Sequence, residues 1–269
     1  MQPGSKAKKG GTRPDLASAA GLLIATVGIL GGLLLEGGKI ADIAQYTAAV
    51  IVLGGTMGAT MLNSPMQTFR SAFKRLAVVF FEKHQPVEAA IEQIIDFATK
   101  ARKSGIVSLE SEIDSIQEPF LKKALILAVD GTDLQEIRSM MELEISQLEH
   151  RADSEAKVFE QAGGYAPTVG IIGAVMGLIQ VMKNLANIDE VGHGIAVAFV
   201  ATVYGVGIAN LFFLPAAGKI KARASEEVRM KEMMLEGVAA IVEGLNPKLI
   251  RSKLEAYADP KPVKAPKKG

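Results

Sequence analysis

The chain has 269 residues, 49% hydrophobic and 22% charged, with a formal net charge of +1. That balance gives no global basic field for nucleic acid, and the absence of cysteine excludes disulfides, thiolate metal sites and a cysteine nucleophile. Three scattered histidines, His84, His150 and His193, offer no metal-binding cluster.

Residues 1–14 are rich in Gly, Lys and Ser and read as a disordered basic tail. The apolar run from Leu16 to Leu35 follows them. It is longer than the ~7–15 residues of a signal-peptide core, so a retained first span is expected. Glu36-Gly37-Gly38-Lys39 makes a polar turn, and an uncharged run from Ile43 to Phe69 supplies a second span ending near Leu62. Residues 15–62 therefore form one membrane hairpin.

Residues 63–160 are charged and helical in pattern. Ala90, Ile91, Ile94, Ile95 and Ala98 make an apolar helical stripe that stops at Gly105. A long helix is expected from Leu134 toward Gly163, continuing into the next span. Residues 161–218 form the second hairpin. Asp, Glu, Lys and Arg are absent from Gln161 to Met182 and again from Val191 to Gly218. Each run exceeds the ~20 residues needed to cross the hydrocarbon. Gly170, Gly173, Gly177, Gly205 and Gly207 give small faces for close helix approach. Residues 219–258 read as two amphipathic helices, and 259–269 as a second disordered tail. No strand pattern is convincing, and no solenoid repeat is present. The fold class expected is thus an all-α integral membrane protein, with four transmembrane helices in two hairpins and a large helical cytoplasmic domain between spans two and three.

Lysines and arginines place that domain. Lys6, Lys8, Lys9 and Arg13 precede span one, Arg70, Lys74 and Arg75 follow span two, and Lys219, Lys221 and Arg223 follow span four. The links within the hairpins carry only Lys39 and Lys183. Both termini and the large middle segment are therefore expected in the cytoplasm.

The spans contain no carboxylate or ammonium group at mid-depth. An ion pathway needs something to replace the ion's hydration, and here only hydroxyls, amides and carbonyls are on offer. If the chain works with ions, a partner must bring the titrating carboxylate. Thr202 leads the candidates for a polar lining, with Thr168, Tyr204 and Asn210 behind it. The alternative for Thr202 is a bond to the helix carbonyl one turn back. Pro167 and Pro215 mark either helix entry and exit or hinges. Arg102 and Glu110 bracket the turn KSGIVSL and form either a solvated face or a docking surface. No phosphate-binding loop or hydrolase signature occurs, so no enzyme, no catalytic residue and no cofactor are expected.

The stretches KARKSGIVSLESEID, YAPTVGIIGAVMGLIQVM, VATVYGVGIANLFFLP and GVAAIVEGLNPKLIRSKLEAYADP together resemble the MotA/PomA group of flagellar stator A subunits. The likeness covers nearly all of the chain except its tails, and the last stretch separates the group from its ExbB and TolQ relatives, which have three spans. The resemblance implies a pentameric ring of A subunits around a dimer of a MotB-like B subunit that carries an essential aspartate. It also implies a FliG-like rotor switch protein as partner, alongside membrane lipid. Pro167 and Pro215 match the group's paired boundary prolines, Arg102 and Glu110 its rotor-facing charges, and Thr202 its pore threonine. Sodium-type members carry hydroxyls where this chain has Ala174 and Ala201, so the resemblance implies protons as the ion, with Ala174 beside the path. An ExbB/TolQ-like energiser of an envelope complex and a passive membrane scaffold are the alternative readings.

Overall fold

The structure is a computed structural model that describes residues 12–83 and 87–258. The expected terminal tails lie outside these residues, apart from Thr12–Pro14. That segment is a strand, β1, paired with β2 (Phe81–Lys83). This two-stranded ribbon corrects the expectation of an entirely strand-free chain. Three residues per strand are too few to carry a readable period-2 pattern.

Helices follow in chain order. They are α1 (Leu16–Leu35), α2 (Ile40–Ile43), α3 (Tyr46–Asn63), α4 (Met66–Arg75) and α5 (Ala77–Phe80). Beyond β2 come α6 (Val87–Ser104), α7 (Glu110–Ile113), α8 (Pro119–Val129) and α9 (Leu134–Lys183). The last are α10 (Ile188–Ile208), α11 (Leu214–Val242) and α12 (Pro247–Leu254). Four helical stretches are long and apolar enough to cross a membrane: α1, α3, α9 and the run Ile188–Val242. Residues 40–43 form a separate turn of helix, so the second span begins at Tyr46 rather than Ile43.

Two compact units emerge, and they cut the chain differently from a division in sequence order. One comprises the described parts of 83–150 and 224–258, and the other 13–82 with 151–223. The helices α9 and α11 each contribute residues to both.

The first unit is a soluble-type helical core. Ile91, Ile94 and Phe97 of α6 meet Phe120, Leu121 and Leu125 of α8, Ile137 and Met141 of α9, Met233 and Val238 of α11, and Ile250 and Leu254 of α12. These positions recur every three or four residues, which is what an amphipathic helix needs to bury one stripe. Helix α8 stops at Gly131 (φ +78°), where Thr132 N–H reaches the Leu127 carbonyl and Gly131 N–H the Ala128 carbonyl. Both bonds require a left-handed residue, which glycine adopts without steric cost. The last helix is clipped on by a two-pronged Arg251–Glu92 pair at 2.6 and 2.7 Å. Its Lys253 also reaches Glu236, which takes a 3.1 Å bond from Arg138.

The second unit holds the membrane helices. Its main cluster joins Ala72, Phe159, Ala162, Ala166, Ala209, Phe213 and Ile220. In α3 the buried residues Ala48, Val52, Thr56 and Thr60 lie four apart and form one stripe, with Ala48 and Val52 packed against Val200 and Ala201 of α10. In contrast, α1 buries no residue at all.

Candidate functional site: the glycine-seamed hairpin of α9 and α10

The second hairpin is closed along a seam of residues without bulk. A methyl group added at Gly170 would lie 2.9 Å from the Ala201 carbonyl oxygen and 3.3 Å from Gly205 Cα. One at Gly177 would lie 2.7 Å from the Gly194 carbonyl oxygen, and one at Gly205 2.5 Å from that of Ala166. These obstacles are backbone atoms, so they cannot swing aside. The two helices approach this closely because glycine and alanine permit it, and dispersion between backbones then holds them together in a solvent that gives no hydrophobic drive. Helix α3 joins the same layer, with Gly55 against Val169 and Ile51 against Gly173. Beyond its end, Ser64 donates to Gln161 at 3.1 Å.

Thr202 sits on this seam, half-buried, beside Gly170. Its hydroxyl donates to the Ala198 carbonyl at 3.2 Å, one turn back. Ala174 is also half-buried, whereas Thr168 is exposed and donates to the Tyr165 carbonyl at 2.8 Å. Both hydroxyls keep their acceptor lone pairs free, and neither adds a charge. Tyr204 behaves differently. Its hydroxyl donates to the Ile43 carbonyl at 2.5 Å and accepts from Gln45 N–H at 3.3 Å. Those backbone groups lie in the break between α2 and α3, where Gln45 N–H also donates to the Ile43 carbonyl at 3.1 Å, and Tyr204 bridges the two. The arrangement brings Thr202 to the α9 contact, leaves Ala174 half-buried and Thr168 exposed, and commits the Tyr204 hydroxyl elsewhere.

The two prolines have unequal surroundings. Pro167 lies within the unbroken helix α9. Pro215 follows a π-helical turn, Ala209–Phe213, in which Leu214 N–H reaches back to the Ala209 carbonyl. A proline cannot donate to the carbonyl four residues earlier, and its ring crowds that carbonyl; shifting one turn to the wider register relieves both. Asn210 completes the turn by donating its side-chain amide to the Val206 carbonyl at 2.9 Å. Pattern reading missed this turn, although π-turns inside helices are frequent at functional sites. The two proline regions also touch, since a methyl at Gly163 would meet Leu214 at 2.6 Å.

Arg102 and Glu110 belong to the other unit. Both are exposed, at the end of α6 and the start of α7. Between them Gly105 (φ +82°) reverses the chain. Neither forms an ion pair among the described residues. No set of three or more His, Cys, Asp or Glu side chains there is placed to hold a metal ion.

Two buried carboxylates escaped sequence reasoning. Asp15 (5% exposed) caps α1 through Ser18 N–H at 3.0 Å and holds both Lys219 and Arg223. The Lys219 ammonium, then the Ser18 amide, hold its carboxyl well below the usual carboxylate range; burial opposes them and Arg223 adds to them. Glu155 (2% exposed) accepts from Ser71 and Arg151 and faces Arg75 at 3.6 Å. Local sequence offers only Ser18 to Asp15 and Arg151 to Glu155; their other partners, Lys219 and Arg223, Ser71 and Arg75, come from tertiary structure.

Comparison with known proteins gives a consistent picture. The profile of the MotA/TolQ/ExbB proton channel family matches residues 112–233, and that of the motility protein A N-terminal region matches 19–105. Motility protein A of Bacillus subtilis is 36% identical over 244 residues, 90% of either chain. A structure of C. jejuni MotAB superposes with a TM-score of 0.88 at 32% identity, covering 94% of this chain and 99% of that one. The flagellar MotAB stator complex from Bacillus subtilis gives 0.83 at 35% identity, covering 91% and 96%.

Proposed function

This chain belongs to the MotA/TolQ/ExbB proton channel family, on its motility protein A branch, and is a flagellar stator A subunit; we propose that it works with protons, by presenting the α9–α10 hairpin to a carboxylate on a second polypeptide. The observation that carries this reading is a polar-dotted hairpin with no Asp, Glu, Lys or Arg from Gln161 to Met182 or from Val191 to Gly218. Such a surface can line a path but cannot itself take up and release a proton. Two relatives of known structure are MotAB, and in the proposal a MotB-like dimer supplies that carboxylate inside a ring of copies of this chain, five by the family likeness.

The choice of proton rests on Ala174 and Ala201. Sodium requires several oxygen ligands to offset its lost hydration, and methyl groups provide none. Thr202 remains as a hydroxyl able to order a water next to the partner's acid, with Thr168 toward the mouth of the path. Moving one charge through 100 mV releases ~2.3 kcal/mol. That can bias a rigid-body step between packings that differ by a few kcal/mol. Pro167 and the π-turn before Pro215 are where we place the flexing. Arg102 and Glu110 form the face offered to a FliG-like rotor protein, with both termini in the cytoplasm and the spans in the inner membrane.

The test is Thr202→Val in the assembled complex, combined with Pro167→Ala, with proton flux and swimming measured together. Both are expected to fall at least tenfold at unchanged protein level and unchanged dependence on sodium. Unaltered flux and swimming would leave the hairpin as a passive scaffold.

A further inference from the structure

Helix α4 leaves the end of α3 after Pro65 and carries Arg70 and Lys74, one turn apart, within three turns of the span. Together with Met66, Gln67, Ser71 and Arg151 they line an open cleft of about 470 Å³. That volume falls in the range of small-molecule sites, roughly 300–1,000 Å³.

The cleft has a built floor. Glu155, almost fully buried, accepts from Ser71 and from Arg151 at 3.3 Å, and Arg151 also donates to the Ser71 hydroxyl at 3.4 Å. Arg75 lies on the other carboxylate oxygen at 3.6 Å. Glu155 thus touches both guanidiniums, those of Arg75 and Arg151. Arg70 and Lys74 are exposed and form no ion pair among the described residues. Arg70, Lys74 and Arg151 line the cleft and no carboxylate does, so its wall carries a surplus of positive charge, close to the end of the span. Its apolar flank is on the same helix: Met66 and Phe73 are 47% and 38% exposed. A soluble anion needs only the charges, whereas a phospholipid needs charge and greasy surface side by side, and the cleft supplies both.

We propose that this cleft binds the headgroup of an anionic phospholipid of the cytoplasmic leaflet, with its phosphate between Arg70, Lys74 and Arg151. The inference rests on the membrane orientation proposed above but not on proton coupling, and its test does not read ion flux.

The full complex, this chain with its B subunit, is stripped of lipid and titrated with phosphatidylglycerol or phosphatidylcholine while native mass spectrometry counts bound lipid. Phosphatidylglycerol is expected to bind the more tightly. Arg70→Gln with Lys74→Gln should weaken it roughly 30-fold, about 1 kcal/mol per charge removed, and leave phosphatidylcholine unchanged. The matched charge change Lys122→Gln with Lys123→Gln, in the other unit, should have no effect. If the double variant does not assemble, Lys74→Gln alone should still lower binding about fivefold. Equal binding by wild type and variant, or an equal loss in the Lys122/Lys123 control, overturns the proposal. Displacement of phosphatidylglycerol by millimolar inorganic phosphate would assign the cleft to a soluble anion and overturn it too. So would failure of the assembled complex to bind either lipid, as when a neighbouring copy fills the cleft.

Discussion

Asp15 shows what one side chain contributes. It caps the first residues of α1 and gathers Lys219 and Arg223 from the far end of the chain. Its amide also donates to the Phe80 carbonyl at 2.8 Å. Asp15→Asn removes the charge and keeps the shape, and should lower stability in detergent by about 2 kcal/mol, as for hydrogen bonds to charged groups. The pH dependence has a definite sign. A carboxyl whose folded pKa lies below its unfolded value of about 3.9 gives its full contribution above that value. The contribution is lost as pH falls through the lower, folded value. The gap in melting temperature between wild type and Asp15→Asn should therefore stay constant from about pH 5 to 8 and close only in strong acid. A gap that closes near pH 6 would contradict the pairing. Nothing in the sequence points from position 15 to position 219; Lys219 and Arg223 were legible only as charges following a span.

For the helices, the decisive fact is that not all glycines are equal. A methyl at Gly205 meets the backbone of Ala166 and Gly170, whereas Gly207, two residues on, has nothing within 4 Å. Gly205→Val should push α9 and α10 apart, costing at least the 1–3 kcal/mol typical of overpacking, and deplete the protein from membranes. Gly207→Ala should be tolerated, with near-normal level and swimming. Equal tolerance of both would show that the seam is not as tight as described. The sequence marked all these glycines as candidates for packing, because small residues in a charge-free run are a compositional signal. It could not rank them, since rank depends on which face meets a neighbour. The same limit hid the turn before Pro215. Proline's missing donor is legible, but whether the helix kinks, ends or widens is decided by surrounding atoms. Pro167 leaves α9 continuous from Leu134 to Lys183. Tyr204 read as a lining residue from its place in span four, and only the break at Ile43–Gln45 explains where its hydroxyl goes.

Across the molecule, the four spans and the long helix through Leu134–Lys183 were legible, because absent charge and unbroken periodicity are local properties. The regrouping of 83–150 with 224–258 was not: it depends on contacts such as Arg251–Glu92, far apart in the chain. Arg102 and Glu110 are exposed, beside a glycine turn. Since Arg102 holds no partner among the described residues, Arg102→Glu should leave folding and membrane level unchanged while reducing torque on a tethered cell severalfold. Full torque at normal level would remove it from the rotor face.

Helix α1 has twenty residues and buries none of them. Its own chain therefore imposes little steric selection on it beyond the clasp at Asp15 and the partly buried Ser18, Ala25, Leu30, Gly31 and Leu33. A tryptophan walk over the exposed positions from Leu23 to Leu34 would consequently be a survey of the surroundings: each intolerant position marks where another molecule presses on this helix, and a quiet one marks open bilayer.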